Sequence, residues 1–254
     1  MYRQITELIK TAGEIVLSAS DIQAEISEKN GDANFVTAYD VKVQECLIEG
    51  LSKILPQANF FAEESGSAVP DMNEYTFIID PIDGTTNFIK GFDHSAISVA
   101  LVKDCEVIFG VVYNPYKNKM YTALKGQGAF LNGRAVKMGN GSISEGIVSF
   151  GTTPYNRKTA HETLGLAELF LEKSMDIRRS GSAVLDLCDV ACGCSNLFFE
   201  LQLQPWDYAA ASLIVREAGG TVTTMENTPV TLNKPCSVLA GTENAHREAL
   251  ELIK

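Results

Sequence analysis

The sequence predicts an α+β fold, and three observations carry that prediction. Ile5, Leu8, Ile9, Ala12, Ile15, Val16 and Ala19 recur at three- and four-residue steps, which marks an amphipathic helix over residues 3–20. Apolar runs at 96–102, 106–113, 119–123 and 128–133 follow one another across short turns, which marks a meandering sheet. From residue 147 onward, strand and helix patterns alternate. There is no internal repeat, low-complexity tract or long linker. A polar stretch at 139–145 divides the chain. Residues 1–140 are therefore expected to form an N-terminal α+β half, and 141–254 a C-terminal α/β half, of one compact unit.

Taken in order, residues 28–34 are polar and turn-rich and read as a loop or loose hairpin. A second helix presents Val43, Cys46, Leu47, Gly50, Leu51 and Ile54 on one face; Thr37 or Asp40 caps it, and Pro56 stops it. Residues 59–62 read as a strand continuing into Glu63 and Glu64, which on a strand would point to opposite sides. Residues 77–79 form a short apolar run of buried-strand type, and the meander follows. The glycines at 126 and 128 fit neither a dinucleotide fingerprint nor a phosphate-binding loop and read as turns. Beyond the dividing stretch come a strand at 147–150, a helix at 159–173, and a small-residue segment at 177–183 that lets a ligand approach the backbone closely. A helix at 184–191, a strand at 196–201, a buried helix from Pro205 to Gly219, strands near 221–223 and 237–241 and a helix at 245–253 complete the chain.

Composition narrows the function. The 254 residues include 45% hydrophobic residues, enough for a sizeable core. The net charge is −11 and no basic patch is visible, so nucleic acid is not expected as a primary ligand. No window approaches the ~20 apolar residues of a membrane span. The N-terminus lacks a signal-peptide core, and no membrane association is expected; the protein is read as cytoplasmic. Cys46, Cys105, Cys188, Cys192, Cys194 and Cys236 show no disulfide-framework spacing; Cys188, Cys192 and Cys194, in an apolar stretch with no second cluster or nearby His, read as reduced core thiols and not as a soft-metal site. Three histidines and no Gly-x-Ser-x-Gly elbow leave little room for a serine hydrolase.

The candidate chemistry lies in acids at element ends. Asp80 and Asp83 stand where the strand at 77–79 exits, with Pro81 between them, and Gly84, Thr85, Thr86 and Asn87 are turn and helix-start residues. Carboxylate oxygens suit Mg²⁺ or Mn²⁺, and the N–H groups of a helix start suit a phosphate. The same residues are also ordinary turn and cap formers, and on their own both readings stand. Glu63, Asp207, Asp40 and Glu200 join the set: Asp207 falls in the first turn of a helix, where a carboxylate also serves as a cap.

Several stretches together resemble the inositol monophosphatase family of Mg²⁺-dependent, lithium-sensitive phosphatases. They are the run Asp80-Pro81-Ile82-Asp83-Gly84-Thr85-Thr86-Asn87-Phe88, the run Trp206-Asp207-Tyr208-Ala209-Ala210, and residues 217–220, 62–65, 36–40, 110–113 and 126–129. The resemblance spans nearly the whole chain. It implies a layered α-β-α-β-α sandwich of the inositol monophosphatase and fructose-1,6-bisphosphatase type. It also implies hydrolysis of inositol monophosphate to inositol and phosphate by metal-activated water, with two or three Mg²⁺ (or Mn²⁺) ions. By the same resemblance Glu63, Asp80 and the carbonyl of Ile82 hold one ion, and Asp80, Asp83 and Asp207 another. Gly84 and Thr85 offer amides to the phosphate. Glu63, Thr85 and Asp40 are the catalytic residues that hold, orient and activate the water. Asp83, Ser182, Ala183, Glu200 and Asp207 line the polyol side, Lys29 lies in a loop near the site, and the protein is a homodimer. Tyr39 stands where a small Thr is commoner, and Asn34 where Asp is frequent. Fructose-1,6-bisphosphatase and 3′-phosphoadenosine 5′-phosphate phosphatase activities are the alternatives within the same chemistry; Thr86-Asn87-Phe88 favours the inositol group. A partner-binding or regulatory protein with secondary phosphatase activity is the alternative outside it.

Overall fold

The computed structural model describes residues 1–20, 26–28, 35–66 and 68–254. Helix α1 (Tyr2–Leu17) is followed by an antiparallel pair, β1 (Ile26–Glu28) and β2 (Phe35–Thr37), and then by α2 (Ala38–Ile54). Seven strands form one sheet in the order of the chain: β3 (Asn59–Ala62), β4 (Thr76–Asp83), β5 (Ala96–Lys103), β6 (Glu106–Asn114), β7 (Lys119–Leu124), β8 (Ala129–Leu131) and β9 (Arg134–Val136). Only the β3–β4 pair of this sheet is parallel; β4 and β5 are antiparallel across the segment that holds a short helix, and short turns join the later strands. Asp104 and Cys105 turn β5 into β6 with φ of 53° and 59°, and Asn132-Gly133 turns β8 into β9 in the same left-handed region. Between β4 and β5 lies the short helix α3 (Thr85–Lys90).

The second sheet has the order β11-β10-β12-β14-β13. Its strands are β10 (Ile147–Phe150), β11 (Asp176–Arg178), β12 (Leu197–Leu203), β13 (Thr221–Thr223) and β14 (Cys236–Gly241). Helices α4 (Ala160–Leu171), α5 (Ala183–Ala191), α6 (Pro205–Glu217) and α7 (Glu243–Leu252) alternate with them.

Side-chain alternation explains the layers. Phe77, Ile79, Val99 and Leu101 leave the large sheet on the side of α1 and α2, where they meet Ile5, Ile9, Val43 and Leu47. Ile78, Ala100 and Val112 leave it on the opposite side and meet α5 and α6. Those two helices also cover Phe198, Val238 and Ala240 of the second sheet, so a single apolar cluster spans both sheets. On the far side of that sheet, Leu197, Phe199 and Leu239 pack with Phe170 of α4 and Ala245 and Ala249 of α7. The result is the α-β-α-β-α layering that the resemblance implies. The central helix lies close against β6: a methyl group at Gly110 would sit 2.5 Å from the carbonyl oxygen of Ala210.

Several local expectations change. The first helix ends at Leu17 and the fourth spans Ala160–Leu171. Glu63–Ser65 is a 3₁₀ turn, not a strand end, closed by Gly66 at φ 56°. Asp80 and Asp83 lie within β4 instead of beyond it. The strands β9 and β11 carry too few apolar residues to show an alternating pattern. Of Cys188, Cys192 and Cys194 the first is buried, the second half-buried and the third exposed, so the core-thiol reading holds fully for Cys188 alone. Burial raises the Cys188 thiol well above its usual range and pushes Cys192 up to about 11, which leaves both unreactive. Among the described residues no helix is long and apolar enough to cross a membrane.

Candidate active site

The site begins with an irregularity in β4. Asp80 pairs with Ser98 and Asp83 with Ala96, so three steps along β4 match two along β5. The extra residue is a bulge, and Pro81, which has no N–H to give the ladder, fits inside it. On a regular strand residues 80 and 83 would face opposite ways; the bulge turns both toward the same cleft.

Each acid is then fixed by a local donor. Asp80 Oδ1 accepts the Ile82 N–H at 3.0 Å. Asp83 Oδ2 accepts the hydroxyl of Ser182 and the Val184 N–H at 3.3 Å, both from the first turn of α5, which Ser182 caps. Asp207, three residues beyond the N-cap of α6, accepts the Gln204 N–H at 2.7 Å. The cap reading of Asp207 is therefore correct, and it does not exclude the other: one oxygen caps the helix while the carboxylate still faces the cleft. One oxygen each from Asp80, Asp83 and Asp207 lies within 4.8 Å of the others.

Burial and crowding dominate the electrostatics. Desolvation, then the charges of Glu63, Asp83 and Asp207, raise Asp80 well above the usual carboxylate range. Asp207 is raised well above it by burial, then by Asp83 and Glu63. Burial pushes Asp83 up to about 7 against the opposing hydrogen bonds from Ser182 and Val184. These groups have no Lys or Arg ion pair among the described residues, so the cluster is short of positive charge. Buried hard oxygen donors that repel one another fit a Mg²⁺- or Mn²⁺-type cation and do not fit a thiophilic metal. Glu63 lines the same cleft, from the 3₁₀ turn after β3, and is not one of the three closest acids.

The cleft is also lined by Ile82, Gly84, Thr85, Ser182, Ala183 and Glu200. Gly84, at φ 84°, and not Thr85, Thr86 or Asn87, is the N-cap of α3. Thr85 Oγ1 donates to the carbonyl of Ile82 at 3.1 Å. Asp40 is only 1% exposed and lies outside the cleft lining. Its Oδ2 accepts the Thr37 N–H and hydroxyl at 2.7 and 2.6 Å, so Thr37 and Asp40 together make a capping box. No hydrogen bond joins Asp40 to Thr85 among the described residues. Burial nonetheless pushes Asp40 up to about 7, against its bonds to Thr37, with Glu63 adding to the rise. Lys29 and Asn34 lie outside the described residues. The unusual Tyr39 is accommodated: its hydroxyl donates to the Ser20 carbonyl at 3.2 Å, and its ring meets Phe88 edge-on at 5.9 Å.

Glu200 sits under the 151–156 loop. Its Oε1 accepts the Thr153 N–H at 2.8 Å, with Thr153 fully buried at φ 43°, a conformation rarely adopted by β-branched residues. Burial pushes Glu200 up to about 7 against those bonds, with Asp83 adding to the rise and Arg179 opposing it. Asn87 donates its amide to the carbonyls of His94 (2.8 Å) and Ser180 (3.0 Å), tying α3 to the segment before α5. Asp186, Tyr155, Thr152 and Arg179 line the cleft without any marked signal in the sequence. A carboxylate at position N4 of α5 was the only one of these open to a spacing argument.

This arrangement of acids sits on a layered fold of a known class, and the chain belongs to the inositol monophosphatase family, which it matches over residues 1–254. Among curated relatives, the Nus factor SuhB of Salmonella typhimurium strain LT2 is 41% identical over 200 residues, 78% of this chain and 74% of that protein. The inositol-1-monophosphatase of Caulobacter vibrioides is 36% identical over 231 residues, 89% of this chain and 90% of that one. Among solved structures, the extragenic suppressor protein suhB of Bartonella henselae has a TM-score of 0.93 at 32% identity, covering 100% of this chain and 98% of that one. The Thermotoga maritima IMPase has a TM-score of 0.86 at 30% identity, covering 97% and 94%.

Proposed function

We propose that the protein is a Mg²⁺-dependent phosphomonoesterase that hydrolyses small phosphorylated polyols, with inositol monophosphate as the representative substrate. The observation that supports this most directly is the convergence of Asp80 and Asp83, both buried, and the half-buried Asp207, with no ion pair to a cationic side chain among the described residues, in one cleft. In this reading Glu63, Asp80, Asp83, Asp207 and the Ile82 carbonyl hold the cations. When bound, the cations polarise the phosphoryl group and lower the pKa of a water. The chain's own work is positioning. Glu63 and Thr85 hold the attacking water, and Glu63 takes its proton. The amides of Gly84 and Thr85 donate to phosphoryl oxygens as charge shifts onto them. A new bond forms between the water oxygen and phosphorus, and the bond to the polyol oxygen breaks in line; that oxygen leaves with a proton from solvent. Asp40 acts through Thr37, holding the β2–α2 corner behind Glu63. Ser182, Ala183 and Glu200 face the polyol.

A second reading within the same chemistry, a sugar bisphosphate as substrate, is favoured by one observation, the arginine in the cleft discussed below. The relatives named Nus factor support a partner-binding role alongside catalysis. We place the protein in the cytoplasm as a homodimer. The test is phosphate release from inositol 1-phosphate by wild type and Asp80→Asn. Loss of a cation ligand removes several kcal/mol of transition-state stabilisation, so the variant is expected to be slower by about a hundredfold or more. Equal rates would overturn the reading.

A further inference from the structure

Six carboxylates line the cleft: Glu63, Asp80, Asp83, Asp186, Glu200 and Asp207. Among the described residues the lining holds one cationic side chain, Arg179. It follows Arg178, the last residue of the edge strand β11, and the two diverge. Arg178 forms an ion pair with Asp176 and donates to the Ile177 carbonyl at 2.7 Å. Arg179 turns into the cleft, where its Nη2 donates to the Thr152 hydroxyl at 3.1 Å. The missing side chain at Gly181 makes room for it, since a methyl group there would stand 2.9 Å from Arg179 Nη1. The same Gly181 would crowd Asn87, whose amide fixes the Ser180 carbonyl.

An arginine serving only to offset the acids would pair with one of them. Arg179 acts on Glu200 only through its charge, with no ion pair among the described residues, and is held by a neutral hydroxyl, which uses one of its five N–H donors. Arg179 is exposed at the cleft, and an arginine fork can bind two oxygens of a phosphate at once. The scissile phosphate belongs at the carboxylate triad, where cations and amides receive it. We propose that Arg179 is a specificity-determining residue that receives a second phosphate of the substrate, so that sugar or polyol bisphosphates are preferred to the matching monophosphates. This inference rests on the phosphomonoesterase reading. Thr152 is the positioning residue that orients the guanidinium.

The test uses one carbon skeleton, comparing fructose 1,6-bisphosphate with fructose 1-phosphate at saturating Mg²⁺. Wild type is expected to favour the bisphosphate in kcat/KM by about tenfold or more, mostly through KM, as expected for a charge-assisted bond. In Arg179→Gln that ratio should fall toward one, and in Arg179→Lys, which keeps the charge but not the fork, part of it should return. A wild-type ratio near one, or an Arg179→Gln that slows both esters alike and leaves the ratio in place, overturns the assignment. If no ester is turned over, the phosphomonoesterase reading fails separately. Calorimetric binding of the same two esters to wild type and Arg179→Gln then decides the Arg179 claim: a bisphosphate preference lost in the variant supports it, and equal affinities refute it.

Discussion

Stripping the protein of divalent cations should make its stability fall as pH rises from 5 to 8, opposite to the usual behaviour of surface carboxylates. Asp83 rises from its ordinary value of 3.8 to about 7 on folding, chiefly through burial. Between those values the folded chain keeps a proton that the unfolded chain has lost. The folded state therefore binds more protons, and stability declines with pH. The contribution is fully present below pH 3.8 and gone above about 7. At roughly 1.4 kcal/mol for each tenfold change in proton affinity, Asp83 alone accounts for about 3 kcal/mol between pH 5 and its folded value of about 7. Glu200, raised from 4.5 to about 7, acts in the same direction. For a chain of this size about 1 kcal/mol moves Tm by roughly 2–4 °C, so a drop of about 10 °C is expected across this range. The assay is thermal unfolding followed by circular dichroism in EDTA at pH 5, 6, 7 and 8, repeated with excess Mg²⁺. Cations should remove most of the decline, because they bind the folded, ionised acids and not the unfolded chain. Asp83→Asn keeps an oxygen for Ser182 and Val184 and should flatten the EDTA curve while raising Tm at pH 8. A metal-free Tm that is level or climbs with pH would refute the argument that burial raises these acids.

Asp207→Asn should abolish most phosphate release while leaving Tm within a few degrees of wild type, since an amide oxygen can still accept the Gln204 N–H; unfolding would show that the cap is the main role. Ser182→Ala removes both the N-cap of α5 and the donor to Asp83, and should cost about 1–2 kcal/mol in denaturant titration; no change would mean that the hydroxyl is not needed to hold Asp83. Light scattering should show a dimer at micromolar concentration; a monomer mass would contradict the homodimer assignment.

The order of helices and strands is legible in the apolar spacing, and the layering in the family resemblance. Phe77 and Ile79 against Ile78, and Leu197 and Phe199 against Phe198, assign opposite sheet faces by alternation, and the structure places them so. The acids too are visible, as charges at the ends of apolar runs. Their convergence comes from the resemblance and not from spacing. The bulge that brings Asp80 and Asp83 to one side exists only relative to β5, so residues 80–83 alone do not reveal it. Thr37 and Asp40 looked like competing caps, whereas each bonds the other's backbone. Glu63 and Glu64 follow a strand-like run, and only Gly66 in a left-handed conformation shows that the chain has already turned. Arg178 and Arg179 are equivalent in sequence; an edge strand and an ion pair with Asp176 decide which one faces the cleft. Thr153 gives no sign of its left-handed backbone, which depends on Glu200 and Gln202, almost fifty residues away.

The most direct test of the central claim is phosphate release from inositol 1-phosphate, fructose 1-phosphate and fructose 1,6-bisphosphate, each assayed with Mg²⁺, with EDTA, and with Mg²⁺ plus Li⁺. The account predicts release that requires Mg²⁺, stops in EDTA, returns on adding Mg²⁺ back and is inhibited by Li⁺. Release that persists in EDTA, or no release from any of the three with Mg²⁺ present, would contradict it.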